Sequence, residues 1–256
     1  MTAIWDPKQY LKFTGPRLRP ALDLLAQIEV RAAETVYDLG CGPGNLTHFL
    51  KGRWPEASIV GIDSSDKMLE AARNAHPDVT WLQADLTTWR PDKPADVLYS
   101  NAALQWVTGH EKLFPELAEA IAPGGVLAVQ MPRNHAAPSH VLMQEAIEAS
   151  PWVDKILCAQ RLPPVLGPDV YYDLLRPYVS ELNIWESEFL QVLDGENAVA
   201  EWVKGTALKP CLDALTRDEA QAFFDDYASR AQQAYPVRSD GKTLFPFRRL
   251  FIVAKR

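Results

Sequence analysis

Three carboxylates stand at the ends of three apolar runs, and the first of them precedes a glycine-rich turn. Asp38 lies near the end of the run 35–39, Asp63 ends the run 58–63, and Asp85 follows the run 79–83. Carboxylates accept hydrogen bonds from amines and hydroxyls and attract cations. Because parallel strands present their carboxyl ends at one edge of a sheet, the three acids are expected to face one shared ligand there.

The glycine turn, Gly40-Cys41-Gly42-Pro43-Gly44, narrows the choice of ligand. Glycine has no Cβ, so such a loop can bring bare backbone against a ligand. The dinucleotide pattern is G-x-G-x-x-G with a pyrophosphate at the helix N-terminus, and here the third glycine comes one residue early. Asp38 would repel a pyrophosphate but attract an ammonium group. S-adenosylmethionine has no phosphate and carries an α-amino group and a sulfonium, so it suits the pattern; a dinucleotide-binding oxidoreductase is the alternative from another class.

If the ligand is S-adenosylmethionine, each strand-end residue has a predicted role in binding it. Asp63 is predicted to accept both ribose hydroxyls, and Asp85 to accept the exocyclic amine of adenine, with Met68 and Leu86 against the ring. The segment after the fourth predicted strand is predicted to contact the cofactor or to shape the path of the methyl group. The predicted cofactor-binding residues are Asp38, Gly40, Gly42, Gly44, Asp63, Ser64, Met68, Asp85, Leu86, Asn101, Gln105 and Trp106.

Strand and helix patterns alternate around these residues, which indicates βαβ units and a parallel sheet with helices on both faces. The predicted strands are 35–39, 58–63, 79–83, 96–100 and 126–131, and the predicted helices between them are 46–53, 66–75 and 111–122. Ser65 is a predicted N-cap. Pro123-Gly124-Gly125 is predicted to separate the third of these helices from the fifth strand.

The flanking segments complete the prediction. Residues 1–30 are predicted to form an aromatic arm and a helix that follows Pro20, with Leu22, Leu25 and Ile28 on one face. Helical patterns follow at 141–149 and 169–178, then a strand at 182–193, which pairs with the last strand, 244–254, at the sheet edge. Residues 195–235 are predicted to form two helices that divide near Lys209-Pro210.

The predicted fold is thus one α/β, Rossmann-like domain over residues 1–256. Its seven-stranded, mostly parallel sheet has an antiparallel edge strand, its cofactor-binding core is 31–132, and substrate and helical-lid insertions are 133–180 and 195–240.

Composition excludes several classes of protein. A net charge of -7 and a pI near 5.3 argue against a nucleic-acid binder, which needs a basic face. The sequence has no run of ~18 apolar residues of the kind that a membrane span requires, and neither a transmembrane helix nor a signal peptide is expected. Three widely spaced cysteines are typical of reduced thiols, so a cytoplasmic enzyme is expected.

An acidic cluster suited to Mg²⁺ is missing near Asn101, so a metal is not expected. An obligate protein partner is not evident either.

The order D-L-G-C-G-P-G, G-I-D-S-S, Q-A-D-L and P-G-G-V-L over residues 35–131 resembles the class I S-adenosylmethionine-dependent methyltransferases. The N-terminal W-D-P-x-x-Y-L-x-F, N-A-A-L-Q-W, V-Q-M-P and the ending R-L-F-I-V-A are similar to the family that methylates trans-aconitate, over nearly the whole length. This resemblance implies esterification of one carboxylate of trans-aconitate, with S-adenosylhomocysteine as the other product. A methyltransferase acting on another small acid, or on a carrier-bound malonyl group, remains an alternative.

A carboxylate acceptor is already ionised at neutral pH and needs no general base. A catalytic residue is therefore not assigned, and a positioning mechanism is expected in which the enzyme orients the acceptor and removes its water. A polycarboxylate also needs cationic partners, and arginine binds a carboxylate through two hydrogen bonds. Arg248 and Arg249 point to opposite faces of one strand, so at most one of them is expected to serve. The predicted substrate-binding residues are Tyr10, Phe13, Arg17, Arg19, Arg133, Tyr172, Trp202 and Arg248.

Overall fold

A computed structural model describes residues 14–159 and 165–256, and its centre is a seven-stranded sheet. The strands are β1 Thr35–Leu39, β2 Ser58–Asp63, β3 Thr80–Gln83, β4 Ala95–Asn101, β5 Ile121–Pro132, β6 Glu181–Leu193 and β7 Thr243–Lys255. Their order is β3-β2-β1-β4-β5-β7-β6. β1 to β5 pair in parallel, and β7 pairs antiparallel to β5, with β6 beyond it at the edge. The predicted mostly parallel α/β sheet and the pairing of the last two strands are confirmed.

The helices connect the strands in the predicted alternation. They are α1 Thr14–Ala26, α2 Thr47–Arg53, α3 Asp66–Ala75, α4 His110–Glu119, α5 Pro138–Ala149, α6 Val153–Ala159, α7 Pro168–Leu175, α8 Ala198–Lys204, α9 Lys209–Asp213 and α10 Arg217–Ala234. Short 3-10 turns lie at Leu104–Trp106 and Arg176–Tyr178. The predicted N-cap of α3 is confirmed, because the Ser65 side chain accepts a hydrogen bond from the Met68 amide.

Two proline positions make the helix predictions wrong in detail. α1 begins at Thr14, and Pro20 lies inside it instead of preceding it. The buried residues of this segment are Pro20, Ala21, Leu24 and Ile28, so Ile28 is buried as predicted, whereas Leu22 and Leu25 are only half-buried. Proline removes one N–H donor, and a single such loss is tolerated where packing stabilises the helix.

Residues 195–235 form three helices, α8 to α10, instead of the predicted two. Pro210 stands in the first turn of α9, where a missing N–H costs nothing, so it begins a helix here instead of dividing two. α10 starts with a capping box between Thr216 and Glu219. These helices lie between β6 and β7 in the chain, as predicted; that they form a lid over the ligand stays a prediction.

The segment Pro123-Gly124-Gly125 lies inside β5 and not before it, which corrects a third prediction. Gly124 has a φ of +81°, and a Cβ on Gly125 would lie 2.8 Å from the carbonyl oxygen of Asp96. The pairing register between β4 and β5 shifts near Ala95. Glycine therefore lets the irregular start of β5 pass close to the backbone of β4.

Trp81 on β3 lies against the backbone of β2. A Cβ on Gly61 would stand 2.3 Å from the ring, and the indole Nε1 donates to the His76 carbonyl at 3.0 Å. The ring is therefore held in place by its hydrogen bond, and position 61 has no room for a side chain.

Two compact units make up the chain. The sheet unit contains 15–133, 165–187 and 249–256 among the described residues, and its core includes the fully buried Leu98, Leu127 and Ile252. The helical unit contains 134–159 and 188–248, and its core is built around Trp202, Tyr227 and Phe245. Each unit has an apolar core of its own.

Leu98→Ala should lower the free energy of unfolding by about 2–5 kcal/mol, because it leaves a cavity at a fully buried position on the central strand. Leu82→Ala is the matched control, since Leu82 is 41% exposed on the edge strand of the same sheet, and it should cost less than about 1 kcal/mol. Urea denaturation measures both variants. Equal losses would contradict the placement of Leu98 in the core.

Candidate active site at the carboxyl edge of the sheet

The glycine loop leaves β1 at Leu39 and is held against β2 by its backbone. The amides of Gly40 and Cys41 both donate to the Ile62 carbonyl, at 2.8 and 2.9 Å. Gly40 has a φ of +73°, and a Cβ there would lie 2.2 Å from the Cβ of Ala103. Only glycine fits this position, because the segment after β4 packs directly on the loop.

Asp63, at the end of β2, holds the same loop through its side chain. Its Oδ2 accepts from the Gly42 amide at 2.9 Å, and its Oδ1 accepts from the Ser65 amide at 2.8 Å. Burial raises the pKa of this carboxyl, and the hydrogen bonds from the amides of Ser65, Gly42 and Ser64 oppose that shift. A carboxylate oxygen can accept more than one hydrogen bond, so Asp63 keeps capacity for hydroxyl donors. Asp63 thus orders the loop, a role that the sequence analysis did not foresee.

Asp38 is almost completely buried beneath the loop. Its Oδ2 accepts from Thr47 Oγ1 at 2.7 Å, at the first residue of α2. Burial raises the pKa of Asp38 to about 7, the Thr47 hydrogen bond opposes this rise, and the nearby Asp63 charge adds to it. A carboxyl with such a pKa ionises readily when a cation binds beside it. The sequence analysis did not predict this role of Thr47. A threonine at a helix start, three residues after the last glycine of the loop, could have indicated it.

Asp85 follows β3 on an exposed turn. Its Oδ1 accepts from both the amide and the hydroxyl of Thr87, at 2.8 and 2.7 Å, and these two bonds lower its pKa. Oδ2 accepts no hydrogen bond within the described part of the chain, so it is available to a ligand amine. Leu86 and Met68 are buried beside the strand ends, and Ser64 is exposed.

The segment after β4 carries two carbonyl oxygens that suit a ligand with hydrogen-bond donors. Asn101 Oδ1 and Gln105 Oε1 are buried and accept no hydrogen bond from the residues that the structure describes. The Gln105 amide donates to the Ala102 carbonyl at 2.7 Å, and Ala102 itself has a left-handed φ of +53°. Trp106, half-buried, closes the 3-10 turn through its amide.

His110 supports this turn and was missed in the sequence analysis. Its Nε2 donates to the Leu104 carbonyl at 2.9 Å, and its Nδ1 accepts from the Tyr171 hydroxyl at 2.6 Å. Burial lowers the pKa of His110, so the ring is neutral and bridges α7 to the turn. A single histidine in a helix offers no sequence signal for such a role.

Each predicted substrate-binding arginine whose side chain the structure describes lies within 4.0 Å of an acidic side chain. Arg133 donates to Glu186 at 2.8 Å and to the Leu166 carbonyl at 3.2 Å. Arg19 lies on the exposed side of α1, 3.7 Å from Asp23. Arg248 is about half exposed and 3.8 Å from Glu188. Tyr10, Phe13 and the Arg17 side chain lie outside the described residues.

The two predicted aromatic substrate-binding residues lie in different environments. Tyr172 is 49% exposed on α7 of the sheet unit. Trp202 is only 2% exposed and packs on Phe245 and Phe247 in the helical unit. The structure therefore places the strand-end cofactor residues at one edge of the sheet unit, whereas the described members of the substrate set are divided between the two units. Both sets of roles stay predictions.

Arg249 is buried where its neighbour Arg248 is exposed, which agrees with the expectation that the two point to opposite faces. Its Nη1 donates to Gln130 Oε1 at 3.2 Å. Gln130 and Arg249 are two residues at this edge of the sheet that the predicted site did not contain.

The described ranges contain no group of three or more His, Cys, Asp or Glu side chains that could hold a metal ion. Within the same ranges, no helix is both long and apolar enough to cross a membrane.

A family model described as a methyltransferase domain matches residues 36–125, the part of the chain that carries the glycine loop and the strand-end acids. The trans-aconitate 2-methyltransferase of Azoarcus sp. strain BH72 is 50% identical over 252 residues, covering 98% of this chain and 99% of that protein. The chain belongs to the trans-aconitate 2-methyltransferase family. Membership confirms the resemblance found in the sequence.

Two solved structures show a fold similar to that of this chain. The YcgJ protein of Bacillus subtilis has a TM-score of 0.60 at 14% identity, covering 93% of this chain and 98% of that chain. An S-adenosylmethionine-dependent methyltransferase of Mesorhizobium loti has a TM-score of 0.52 at 22% identity, covering 92% and 96%. At these identities the likeness concerns the fold alone, and it confirms the predicted class I methyltransferase architecture.

Asp38 should make the stability of the ligand-free protein depend on pH. Its pKa is about 7 in the folded protein against an ordinary value of 3.8, so the folded state binds more protons between these limits. Stability should therefore fall as the pH rises from about 4 to about 7, with a slope of up to about 1.4 kcal/mol per pH unit from this group.

Urea denaturation across this pH range measures the effect. Asp38→Asn should flatten the slope, whereas Asp66→Asn, at an exposed position on α3, should leave it unchanged. Identical slopes in the wild type and in Asp38→Asn would disprove the assignment.

Proposed function

We propose that this protein transfers the methyl group of S-adenosylmethionine to a carboxylate of trans-aconitate and so forms a monomethyl ester. The observation that carries the proposal is a set of acceptors at the edge beside the glycine loop, in a member of this family. It consists of acids and of two buried carbonyl oxygens that accept no hydrogen bond from the described residues. Such a set of acceptors favours a cationic ligand rich in donors and disfavours a pyrophosphate.

The residues present fit this cofactor. Asn101 Oδ1 and Gln105 Oε1 supply acceptors, and at Gly42 an added Cβ would meet no atom within 4 Å, so the loop faces open space there. We assign Asp38 and the loop glycines to the amino-acid end of the cofactor. The ribose is assigned to Asp63 and Ser64, the adenine to Asp85, Met68 and Leu86, and the methyl-bearing end to Asn101, Gln105 and Trp106.

S-adenosylmethionine, when bound, supplies an electrophilic methyl group: a carboxylate oxygen bonds to its carbon, the C–S electron pair passes to sulfur, and no proton moves. The chain's own residues then have to orient the acceptor and exclude water from it. His110 is neutral and engaged at both nitrogens, so it holds the turn at Leu104 and is not assigned as a base.

The acceptor is proposed to be a small free acid, since the net charge of -7 disfavours nucleic acid. The cytoplasm is proposed as the place of action, because Cys41 is a buried free thiol of the kind that a reducing compartment preserves. In this reading neither a membrane nor a protein partner takes part in the reaction.

Asp63→Asn should weaken binding of S-adenosylhomocysteine by about 1–3 kcal/mol, because one acceptor of the Gly42 or Ser65 amide is lost together with acceptor capacity for the ribose. Glu70→Gln, an exposed change on α3, is the matched control and should leave the affinity unchanged. Isothermal titration calorimetry measures both, and an unchanged affinity in Asp63→Asn would remove Asp63 from the site.

A labelled-methyl transfer assay against a panel of di- and tricarboxylates tests the function itself. Trans-aconitate should be the best acceptor, with one methyl ester per molecule identified by mass spectrometry. A carrier-bound malonyl group or another small acid turned over faster would replace it as the substrate. Nicotinamide dinucleotide released from the purified protein would refute the methyltransferase assignment altogether.

A further inference from the structure

Three polar side chains on neighbouring strands form a buried row at the carboxyl edge of the sheet unit. Asn101 ends β4 and pairs with Gln130 on β5, and Arg249 on β7 pairs with Pro132, two residues further along β5. Alternate residues of a strand point to the same face, so the three side chains share one face. Their exposed fractions are 9%, 0% and 3%. We call them the amide row.

Arg249 sets the orientation of the Gln130 amide. Its guanidinium donates to Gln130 Oε1 at 3.2 Å, so the nitrogen of that amide is directed elsewhere. Gln130 Nε2 is buried and meets no acceptor in the described ranges. Asn101 Oδ1, on the paired residue of the next strand, likewise meets no donor there. A buried donor and a buried acceptor therefore lie on directly paired residues without satisfying each other, which is costly unless a ligand uses them.

The row starts at the glycine loop and leads away from it. Ser100 Oγ donates to the Leu39 carbonyl at 2.9 Å, which fixes the end of β4 to the residue before Gly40. Asn101 follows at once, and Ala103 lies against Gly40. The Asn101 end of the row therefore borders the loop, and the Gln130 and Arg249 end lies one and two strands further on.

This order of groups matches two ligands of opposite charge. An acceptor beside the loop suits a cation, and a donor backed by a guanidinium suits an anion. We propose that Gln130 Nε2, oriented by Arg249, donates to one oxygen of the substrate carboxylate, while Asn101 Oδ1 faces the cationic end of the cofactor. The second carboxylate oxygen is left to attack the methyl carbon. The inference rests on the proposed function and specifies which residue binds the acceptor.

Gln130→Glu and Gln130→Met are the test variants, and binding of trans-aconitate to the complex with S-adenosylhomocysteine is measured by calorimetry. Glutamate can pair with Arg249 but repels the acid, and methionine keeps the volume but loses the donor. The acid should bind about 10- to 100-fold more weakly to both, the range expected for a hydrogen bond to a charged group. Affinity for S-adenosylhomocysteine should change less than about threefold. Gln191→Glu, at a 7% exposed glutamine on β6, is the matched control and should bind both ligands normally.

Arg249 is a positioning residue on this proposal, and a double-mutant cycle tests that role. Arg249→Met should weaken acid binding without affecting S-adenosylhomocysteine, because the Gln130 amide is free to turn. Adding Gln130→Met to it should cause less further loss than Gln130→Met causes alone. Fully additive losses would show that Arg249 does not act through Gln130.

The binding measurements separate the two proposals. Acid binding that is retained in both Gln130 variants, or lost together with S-adenosylhomocysteine binding, would overturn the role of Gln130. A wild-type complex that does not bind the acid would also overturn it. If the wild-type complex with S-adenosylhomocysteine binds trans-aconitate in a Gln130-dependent way, but the wild-type enzyme with S-adenosylmethionine transfers no methyl group to it, the inference stands and the proposed reaction fails.

Discussion

The carboxylate of Asp63 and the carbonyl of Ile62 together hold the glycine loop, and the rest of the site depends on that attachment. Three backbone amides of the loop, those of Gly40, Cys41 and Gly42, donate to these two groups at the end of one strand, and the Ser65 amide also donates to Asp63. A loop rich in glycine has high conformational entropy, so it needs such fixed acceptors to keep one shape. Two further contacts depend on the position of this loop. One is the hydrogen bond from Thr47, at the start of α2, to Asp38, and the other is the packing of Ala103 on Gly40.

Two buried acids beside one loop create an electrostatic cost that a bound cation relieves. Burial raises the pKa of both Asp38 and Asp63, and the charge of Asp63 adds to the rise at Asp38. The protein tolerates this at its ligand edge because hydrogen bonds from Thr47 and from backbone amides partly offset it. The charge distribution therefore selects a cationic ligand before any shape is considered. Selection for stability alone would not favour burying two acids so close together.

The parallel sheet, its helices and the strand-end acids could be predicted from the sequence because their signals are local: a run of apolar residues, a turn, then an acid. Contacts between distant residues could not be predicted. Tyr171 reaches His110 and Arg249 reaches Gln130 over long sequence separations, and no spacing rule links them. The substrate arginines illustrate the same limit, since Arg133 forms an ion pair with Glu186, which lies 53 residues later in the chain. The start of the first helix was predicted wrongly because Pro20 is tolerated inside a helix whose packing stabilises it.

The contact between Trp81 and Gly61 bears on how this family can diverge. A hydrogen bond holds the indole ring, and the ring fills the space that a side chain at position 61 would need. A methyl group could enter there only after the aromatic ring had been replaced by something smaller, and such a replacement would leave a void over a glycine. The two positions are therefore expected to change together among homologues, with the loss of the indole preceding the gain of a side chain on the neighbouring strand.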